Sequence, residues 1–192
     1  GKDDRGFLYA AHNNDLFRFD PGKASYAPGR LRSGIYPHSI VSDGSIVWIG
    51  SRTGLHRLEH ETLRPILVGD FRERRQIKCV TRDTAGNIWI GSQQQLGRLH
   101  LVSGQFDTFP SLQGFDIRAL ATIRGHLFAG TYGRGWYVYD AGRFVRMPAG
   151  RKDALSNVHT FVEDSNGYLW LTTNRGLYKT HLDAVEAYLR DT

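Results

Sequence analysis

A short aromatic phrase returns five times along the chain at a nearly constant spacing. Each copy ends in one aromatic residue, and these are Tyr9, Trp48, Trp89, Phe128 and Trp170. The intervals between them are 39, 41, 39 and 42 residues. A repeat of this length is one supersecondary unit that buries its apolar faces against its neighbours. The sequence therefore predicts an array of similar units, with the aromatic residues in the core.

Each unit has the same order of turn and strand signals. A turn containing Asp and Gly, such as Asp83 to Gly86 or Asp164 to Gly167, precedes the apolar strand that carries the aromatic residue. Asp caps such turns with its own side chain and Gly adopts positive φ, so hairpins are predicted. Further strand signals follow the aromatic strand. Four antiparallel strands in a period of about 40 residues are typical of a β-propeller blade.

The predicted fold is therefore all-β, a β-propeller of about five four-stranded antiparallel blades in one domain, 1–192. The repeat units are predicted near 6–42, 43–82, 83–123, 124–163 and 164–180. Leu182, Val185 and Leu189 lie at helical spacing, which predicts a short C-terminal helix over 182–190.

The two end units are incomplete. No inner strand precedes Phe7, no fourth strand follows Lys179, and the chain begins at Gly1 without a Met or a signal-like segment. A small closed ring fits these observations, and so does a fragment of a six- to eight-blade ring. In the second case the faces of the two end blades would be uncovered.

The formal charge is +6, from 25 basic and 19 acidic residues. In a four-stranded meander, the loops between strands two and three and the loops between blades emerge on the same face. That face is predicted to carry ten basic residues: Arg30, Arg32, Arg52, Arg72, Arg74, Arg75, Arg134, Arg151, Lys152 and Arg175. It is predicted to carry five acidic residues: Asp15, Asp70, Glu73, Asp116 and Asp153. The opposite face is predicted to be acidic.

A basic face attracts anions, and the forked guanidinium of Arg suits carboxylate, sulfate and phosphate groups. We therefore predict a site for a small-molecule or saccharide ligand, with an anionic ligand as one form of this prediction. The predicted ligand-binding residues are Arg52, Gln94, Tyr132, Arg134, Asn174 and Arg175. The alternative is that these loop charges are only solvated surface.

No catalytic residue, metal ligand or cofactor is predicted. His56 and His60 lie four residues apart on a strand and a turn, and no Glu completes a zinc motif. Asp164 to Gly167 resembles the start of a calcium loop, but Arg175 stands where that loop needs a Glu. Nucleic acid is not an expected partner because no recognition helix accompanies the scattered Arg residues. Contact with a membrane is not expected either, because no 18-residue apolar run occurs.

Residues 164–179, preceded by Leu155 to Val158, closely resemble the repeat of the two-component regulator propeller family. Residues 43–57 and 83–98 match the same repeat. The first unit departs from it because Tyr9 replaces Trp. The resemblance implies a non-catalytic, periplasmic ligand-sensing domain of a bacterial transmembrane receptor whose output module is a histidine kinase or a diguanylate cyclase. It leaves open a homodimer formed through the receptor.

Two other functions are kept as alternatives. Asn87 to Ser92 also looks like part of a blade of the streptogramin lyase propellers. In that enzyme class His38 or His159 would supply the catalytic imidazole. A protein-binding scaffold is the other alternative.

Overall fold

The protein is described by a computed structural model that covers residues 2–23, 25–32, 34–68 and 76–192. Five antiparallel sheets follow one another along the chain, and one helix, α1 (Leu182–Arg190), comes last. The predicted all-β propeller fold with a short C-terminal helix is confirmed. We call the sheets blades 1 to 5.

The blades are simple meanders in chain order. Blade 1 contains β1 (Leu8–His12), β2 (Asp15–Asp20) and β3 (Ser25–Arg32). Blade 2 contains β4 (Pro37–Asp43), β5 (Ile46–Ser51), β6 (Gly54–Glu59) and β7 (Thr62–Ile66). Blade 3 contains β8 (Ile77–Arg82), β9 (Ile88–Ser92), β10 (Leu96–Leu99) and β11 (Phe106–Thr108). Blade 4 contains β12 (Ile117–Ile123), β13 (His126–Thr131), β14 (Trp136–Asp140) and β15 (Arg143–Arg146). Blade 5 contains β16 (Val158–Glu163), β17 (Tyr168–Thr173) and β18 (Gly176–His181).

The first strands of blades 2 to 5, which are β4, β8, β12 and β16, pack side by side and form the inner strands. Strand β1 carries Tyr9 and is therefore equivalent to the second strand of the other blades, so blade 1 has no inner strand among the described residues. Packing between blades runs in chain order, and no described strand of blade 1 packs extensively on blade 5. The described array is therefore open between its two ends.

The recurrent aromatic residues face the next blade along the chain. Trp48, Trp89 and Phe128 are 3%, 1% and 1% exposed. Each contributes about 2–3 kcal/mol through burial. Trp170 is only half-buried, which differs from the prediction that it belongs to the core. The reason is that no described element covers this face of blade 5, where Val162 and Leu177 are 55% and 60% exposed.

A glycine two residues after the aromatic allows the next inner strand to come close. A Cβ atom on Gly91 would lie 2.7 Å from Cγ2 of Ile117 in blade 4 and 2.5 Å from Sγ of Cys79 in its own blade. A Cβ atom on Gly50 would lie 2.7 Å from Cγ2 of Ile77, and a Cβ atom on Gly130 would lie 2.7 Å from the carbonyl oxygen of Val158. In blade 5 this position is Thr172.

An aspartate before the aromatic strand closes the hairpin in blades 1, 3 and 5. In blade 3, Asp83 accepts hydrogen bonds from the backbone N–H of Asn87 and from Nε1 of Trp89, both at 2.8 Å. In blade 5, Asp164 accepts a hydrogen bond from Nε1 of Trp170 at 2.7 Å. Burial alone would raise the pKa of Asp83, but its hydrogen bonds outweigh burial and hold that pKa below the ordinary value of 3.8.

The substitution Gly91→Ala is expected to lower the free energy of unfolding by about 1–3 kcal/mol, because its methyl group overlaps Ile117 and Cys79. The measurement is urea denaturation followed by circular dichroism. The matched control is Thr172→Ala at the equivalent position of blade 5, which should change stability by less than about 0.5 kcal/mol. Equal effects of the two substitutions would contradict close packing at Gly91.

The substitution Asp83→Asn is expected to destabilise the fold at neutral pH by about 1–3 kcal/mol, because hydrogen bonds to a charged acceptor are lost. The folded-state pKa of Asp83 is lowered, so its stabilisation is present above pH 3.8 and is lost as the pH falls through the folded pKa. The stability difference from the parent chain should therefore narrow in acid. Thermal unfolding at several pH values measures this, with Asp4→Asn on the exposed surface as the control.

Candidate functional site

Every inner strand has an irregular register near its start. The shifts lie between Pro37 and Ser39, between Ile77 and Cys79, between Ile117 and Ala119, and between Val158 and Thr160. At a β-bulge of this kind one residue is left out of the strand ladder and its side chain is re-aimed. The residues at these four bulges are His38, Lys78, Arg118 and His159. We call them the inner basic row.

The residue before each bulge anchors the strand. The side chains of Ile77 and Ile117 pack on Gly50 and Gly91 of the preceding blade, and Val158 packs on Gly130. The next residue is therefore held in a fixed place while its side chain stays accessible. His38 and His159 are exposed, and Lys78 and Arg118 are half-buried.

Neighbouring members of the row influence each other electrostatically. Burial lowers the pKa of His38, and the positive charges of Lys78 and Arg52 lower it further. Burial also lowers the pKa of Lys78, with a further contribution from Arg118, while Asp116 acts in the opposite direction. Lys78 and Arg118 therefore contribute positive potential on blades 3 and 4, whereas the lowered pKa of His38 favours its neutral form.

Polar and aromatic groups surround the row. Nε2 of His38 lies 2.6 Å from Nε2 of Gln76, and Nε2 of His159 lies 2.6 Å from Oδ1 of Asn174. Nε of Arg118 donates a hydrogen bond to Oδ2 of Asp116 at 2.8 Å. These contacts orient the three side chains, and the ion pair with Asp116 offsets part of the charge of Arg118.

The six ligand-binding residues predicted from the sequence are all exposed and lie in the turns between the second and third strands of blades 2 to 5. The structure places three of them beside the inner basic row. Asn174 contacts His159, the charge of Arg52 acts on His38, and the ring of Tyr132 lies 5.2 Å from the guanidinium of Arg118.

The other three predicted residues make contacts away from the row. The guanidinium of Arg134 lies 5.6 Å from the ring centre of Phe115, and Nη1 of Arg175 donates to the carbonyl oxygen of Lys152 at 2.7 Å. The carbonyl oxygen of Gln94 accepts a hydrogen bond from Gly114 at 2.6 Å. No contact joins these three to the row within the described ranges.

Part of the predicted basic face cannot be placed. Arg72, Arg74 and Arg75, with Asp70 and Glu73, lie outside the described residues. Arg30 and Arg32 belong to β3, although the sequence assigned them to a loop, and their side chains are outside the described set.

Lys78 and Arg118 were missed by the sequence analysis, which considered loops rather than strand starts. A signal was present, because an apolar residue followed by a basic one begins each inner strand. The four pairs are Pro37-His38, Ile77-Lys78, Ile117-Arg118 and Val158-His159.

Two further searches cover the described part of the chain. No group of three or more His, Cys, Asp or Glu side chains is arranged to hold a metal ion. No described helix has the length and apolar character needed to cross a bilayer.

Comparison with known proteins identifies the class of repeat. The model of the two-component regulator propeller family matches residues 154–175, which contain most of the fifth repeat. The resemblance seen in the sequence is therefore confirmed at this repeat.

A curated relative, histidine kinase P4 of Formosa agariphila, is 24% identical, and the match covers 84% of this chain and 13% of that protein. Two crystal structures from B. thetaiotaomicron are each 20% identical to this chain. One is the extracellular domain of a putative one-component system, with a TM-score of 0.73, covering 90% of this chain and 25% of that one. The other is the extracellular domain of a putative hybrid two-component system, with a TM-score of 0.72, and the match covers 94% of this chain and 26% of that one. These structures support the propeller fold.

The substitution Lys78→Gln is expected to raise the pKa of His38, because it removes one of the two positive charges that lower that pKa alongside burial. The measurement is an NMR titration of the imidazole C–H resonances. Lys179→Gln, which removes a lysine from blade 5, is the control and should leave His38 unchanged. An equal shift in both variants would contradict direct coupling within the row.

Proposed function

We propose that this chain is a non-catalytic, ligand-sensing part of an extracytoplasmic bacterial receptor, and that it binds an anionic ligand along the inner basic row. The observation that carries the proposal is the repeated bulge. Four blades each present a basic residue type at the same position, although the fold requires only an accessible side chain there.

An acidic saccharide fits the surroundings of the row. Tyr36 and Tyr132 are 43% and 51% exposed, and each lies beside an Arg, with ring-to-guanidinium distances of 5.6 Å to Arg52 and 5.2 Å to Arg118. Such rings offer a flat apolar surface with a polar edge. The guanidinium groups supply paired donors for a carboxylate or sulfate. An acidic sugar has both an apolar ring face and an anionic group.

Binding along the row provides a physical route to a signal. The side chains belong to separate blades, so one ligand that contacts several of them stabilises a particular arrangement of those blades. A ligand shifts a conformational equilibrium only by its difference in affinity for the two states. A rearrangement of blades, or of the two subunits in a receptor homodimer, is the proposed response.

The relatives support a receptor context. The curated relative is named a histidine kinase, and the two solved structures are named extracellular domains of bacterial signalling systems. This chain spans 13% of the first and about a quarter of the others. On this basis we propose a periplasmic location for the chain and an output module in another part of a longer polypeptide.

The test is isothermal titration calorimetry with a short oligomer of galacturonic acid and a matched neutral oligomer of galactose. The acidic oligomer should bind more tightly, and the difference should shrink as salt is added. The variant Lys78→Gln/Arg118→Gln should weaken the binding of the acidic oligomer by roughly tenfold or more, because two charge-assisted hydrogen bonds are lost.

The control removes the same amount of charge elsewhere. Arg64→Gln/Arg143→Gln alters exposed residues of β7 and β15, and it should leave the affinity within about twofold. Equal binding of the neutral and acidic oligomers would reject an anionic ligand. Unchanged binding by the row variant would reject the row as the site.

A further inference from the structure

Among the described residues, no strand pairs with the outer edge of blade 5. Blades 2, 3 and 4 each end in a fourth strand, whereas blade 5 has three strands in the described part of the chain. After β18 the chain enters α1 instead of turning back, as it does through the short turns between β6 and β7 and between β14 and β15. The fourth-strand position of blade 5 is therefore not filled by the residues that follow β18.

A groove lies along this edge. It has a volume of about 310 Å³ and is lined mainly by apolar side chains. Trp136 and Met147 of blade 4 form one wall, Tyr178 and Lys179 of β18 form another, and Val185 and Tyr188 of α1 close the end. The groove thus gives access to the backbone of β18.

The backbone of β18 offers unpaired hydrogen-bonding groups. In blade 4, the carbonyl oxygen of Trp136 accepts a hydrogen bond from the N–H of Met147, which follows β15. Leu177 is equivalent to Trp136, because Leu177 pairs with Thr172 as Trp136 pairs with Gly130. Alternate residues of a strand direct their backbone polar groups to the same side, so those of Leu177 and Lys179 both point outward. The outward groups of Leu177 and Lys179 have no hydrogen-bond partner among the described residues. Such an edge is a template for another strand.

Blade 3 gives one example of a charged pair at this position, whereas blade 4 has Val138 opposite Val145 and blade 2 has Arg57 opposite Arg64. Arg98 of β10 lies 5.1 Å from the ring centre of Trp89, and Nη2 of Arg98 lies 2.6 Å from Oδ2 of Asp107 on β11. In blade 5, Lys179 lies in the same way over Trp170, at 5.2 Å. An acidic residue opposite Lys179 would reproduce the cross-strand pair of Arg98 and Asp107.

Lys179 has no such partner in the described residues. Its charge is among the causes that lower the pKa of Asp164, but the strongest cause is the hydrogen bond from Trp170. The carboxylate of Asp164 receives hydrogen bonds from Trp170 and Tyr168 and forms no ion pair with Lys179.

In blades 2, 3 and 4, the fourth-strand residue two positions after the one opposite the equivalent of Lys179 is apolar. These residues are Ile66, Phe109 and Met147. The equivalent place in blade 5 is opposite Leu177, which is 60% exposed. An apolar side chain there would cover Leu177.

A second copy of β18 fits this edge poorly. Two β18 strands paired antiparallel would bring their Lys179 side chains close together, and like charges across a strand pair are destabilising. Lysine on a sheet edge is a known protection against self-pairing. The edge therefore favours a strand that differs from β18 in carrying an acidic residue.

We propose that the outer edge of β18, beside this groove, binds an extended segment of a partner protein, which adds a fourth strand to blade 5. The segment carries an acidic residue opposite Lys179 and an apolar residue two positions later, opposite Leu177. Backbone hydrogen bonds to Leu177 and Lys179 provide affinity, and the two side chains provide selectivity.

The experiment uses the 192-residue chain labelled with ¹⁵N and a synthetic peptide with the sequence of residues 104–110, which contains Asp107 and Phe109. Saturable binding should slow hydrogen exchange at the amides of Leu177 and Lys179. The amides of Tyr178 and Thr180, which point to β17, should change little. No saturable binding, or protection confined to other residues, would overturn the proposal.

A charge exchange tests the selectivity. A peptide carrying Asp107→Lys should bind on the order of fivefold more weakly, and the protein variant Lys179→Glu should restore its binding. Equal binding of both peptides to the parent chain would overturn the proposal.

Two further controls distinguish strand addition by a partner from binding of an apolar molecule and from self-association of this chain. A peptide methylated at its backbone nitrogens should not bind, and if it binds as well as the parent peptide, the groove takes an apolar molecule instead. Sedimentation equilibrium should show a monomer without peptide. Self-association that protects Leu177 and Lys179 would assign the edge to a second copy and overturn the proposal.

Discussion

The close contact between neighbouring blades is the constraint on which the rest of this structure depends. A sheet covered on both faces leaves little room at its centre, and the chain meets this limit with glycine at Gly50, Gly91 and Gly130. Each glycine receives the first apolar side chain of the next inner strand. The large aromatic residues then fill the wider space further from the centre. Small and large residues two positions apart thus set how one blade sits on another.

The same contact produces the candidate site. Ile77, Ile117 and Val158 are held against these glycines, and the bulge that follows them releases one residue from the strand ladder. That residue is free of a structural role in the core and is basic in type in all four inner strands. Packing and the proposed ligand contacts are therefore divided between consecutive residues, so the candidate site can vary while the blade contact is kept.

The sequence was sufficient for the fold because its repeat is long, regular and marked by aromatic residues. It also predicted α1 from the spacing of Leu182, Val185 and Leu189, all of which are buried. It did not identify Lys78 and Arg118, because a bulge changes the direction of a side chain without leaving a pattern in one strand alone. The burial of Trp170 was overestimated for a different reason, since burial depends on the blade that follows and periodicity describes only the blade itself.

Thr172 makes the exposed face of blade 5 different from the corresponding faces of blades 2, 3 and 4. Where blades 2, 3 and 4 present a glycine to the incoming Ile or Val, blade 5 presents a branched hydroxyl-bearing side chain. A sheet stacked there would need a shorter residue, such as alanine or glycine, at the head of its first strand. The threonine therefore limits how closely the first strand of any sheet packed on this face can approach β17.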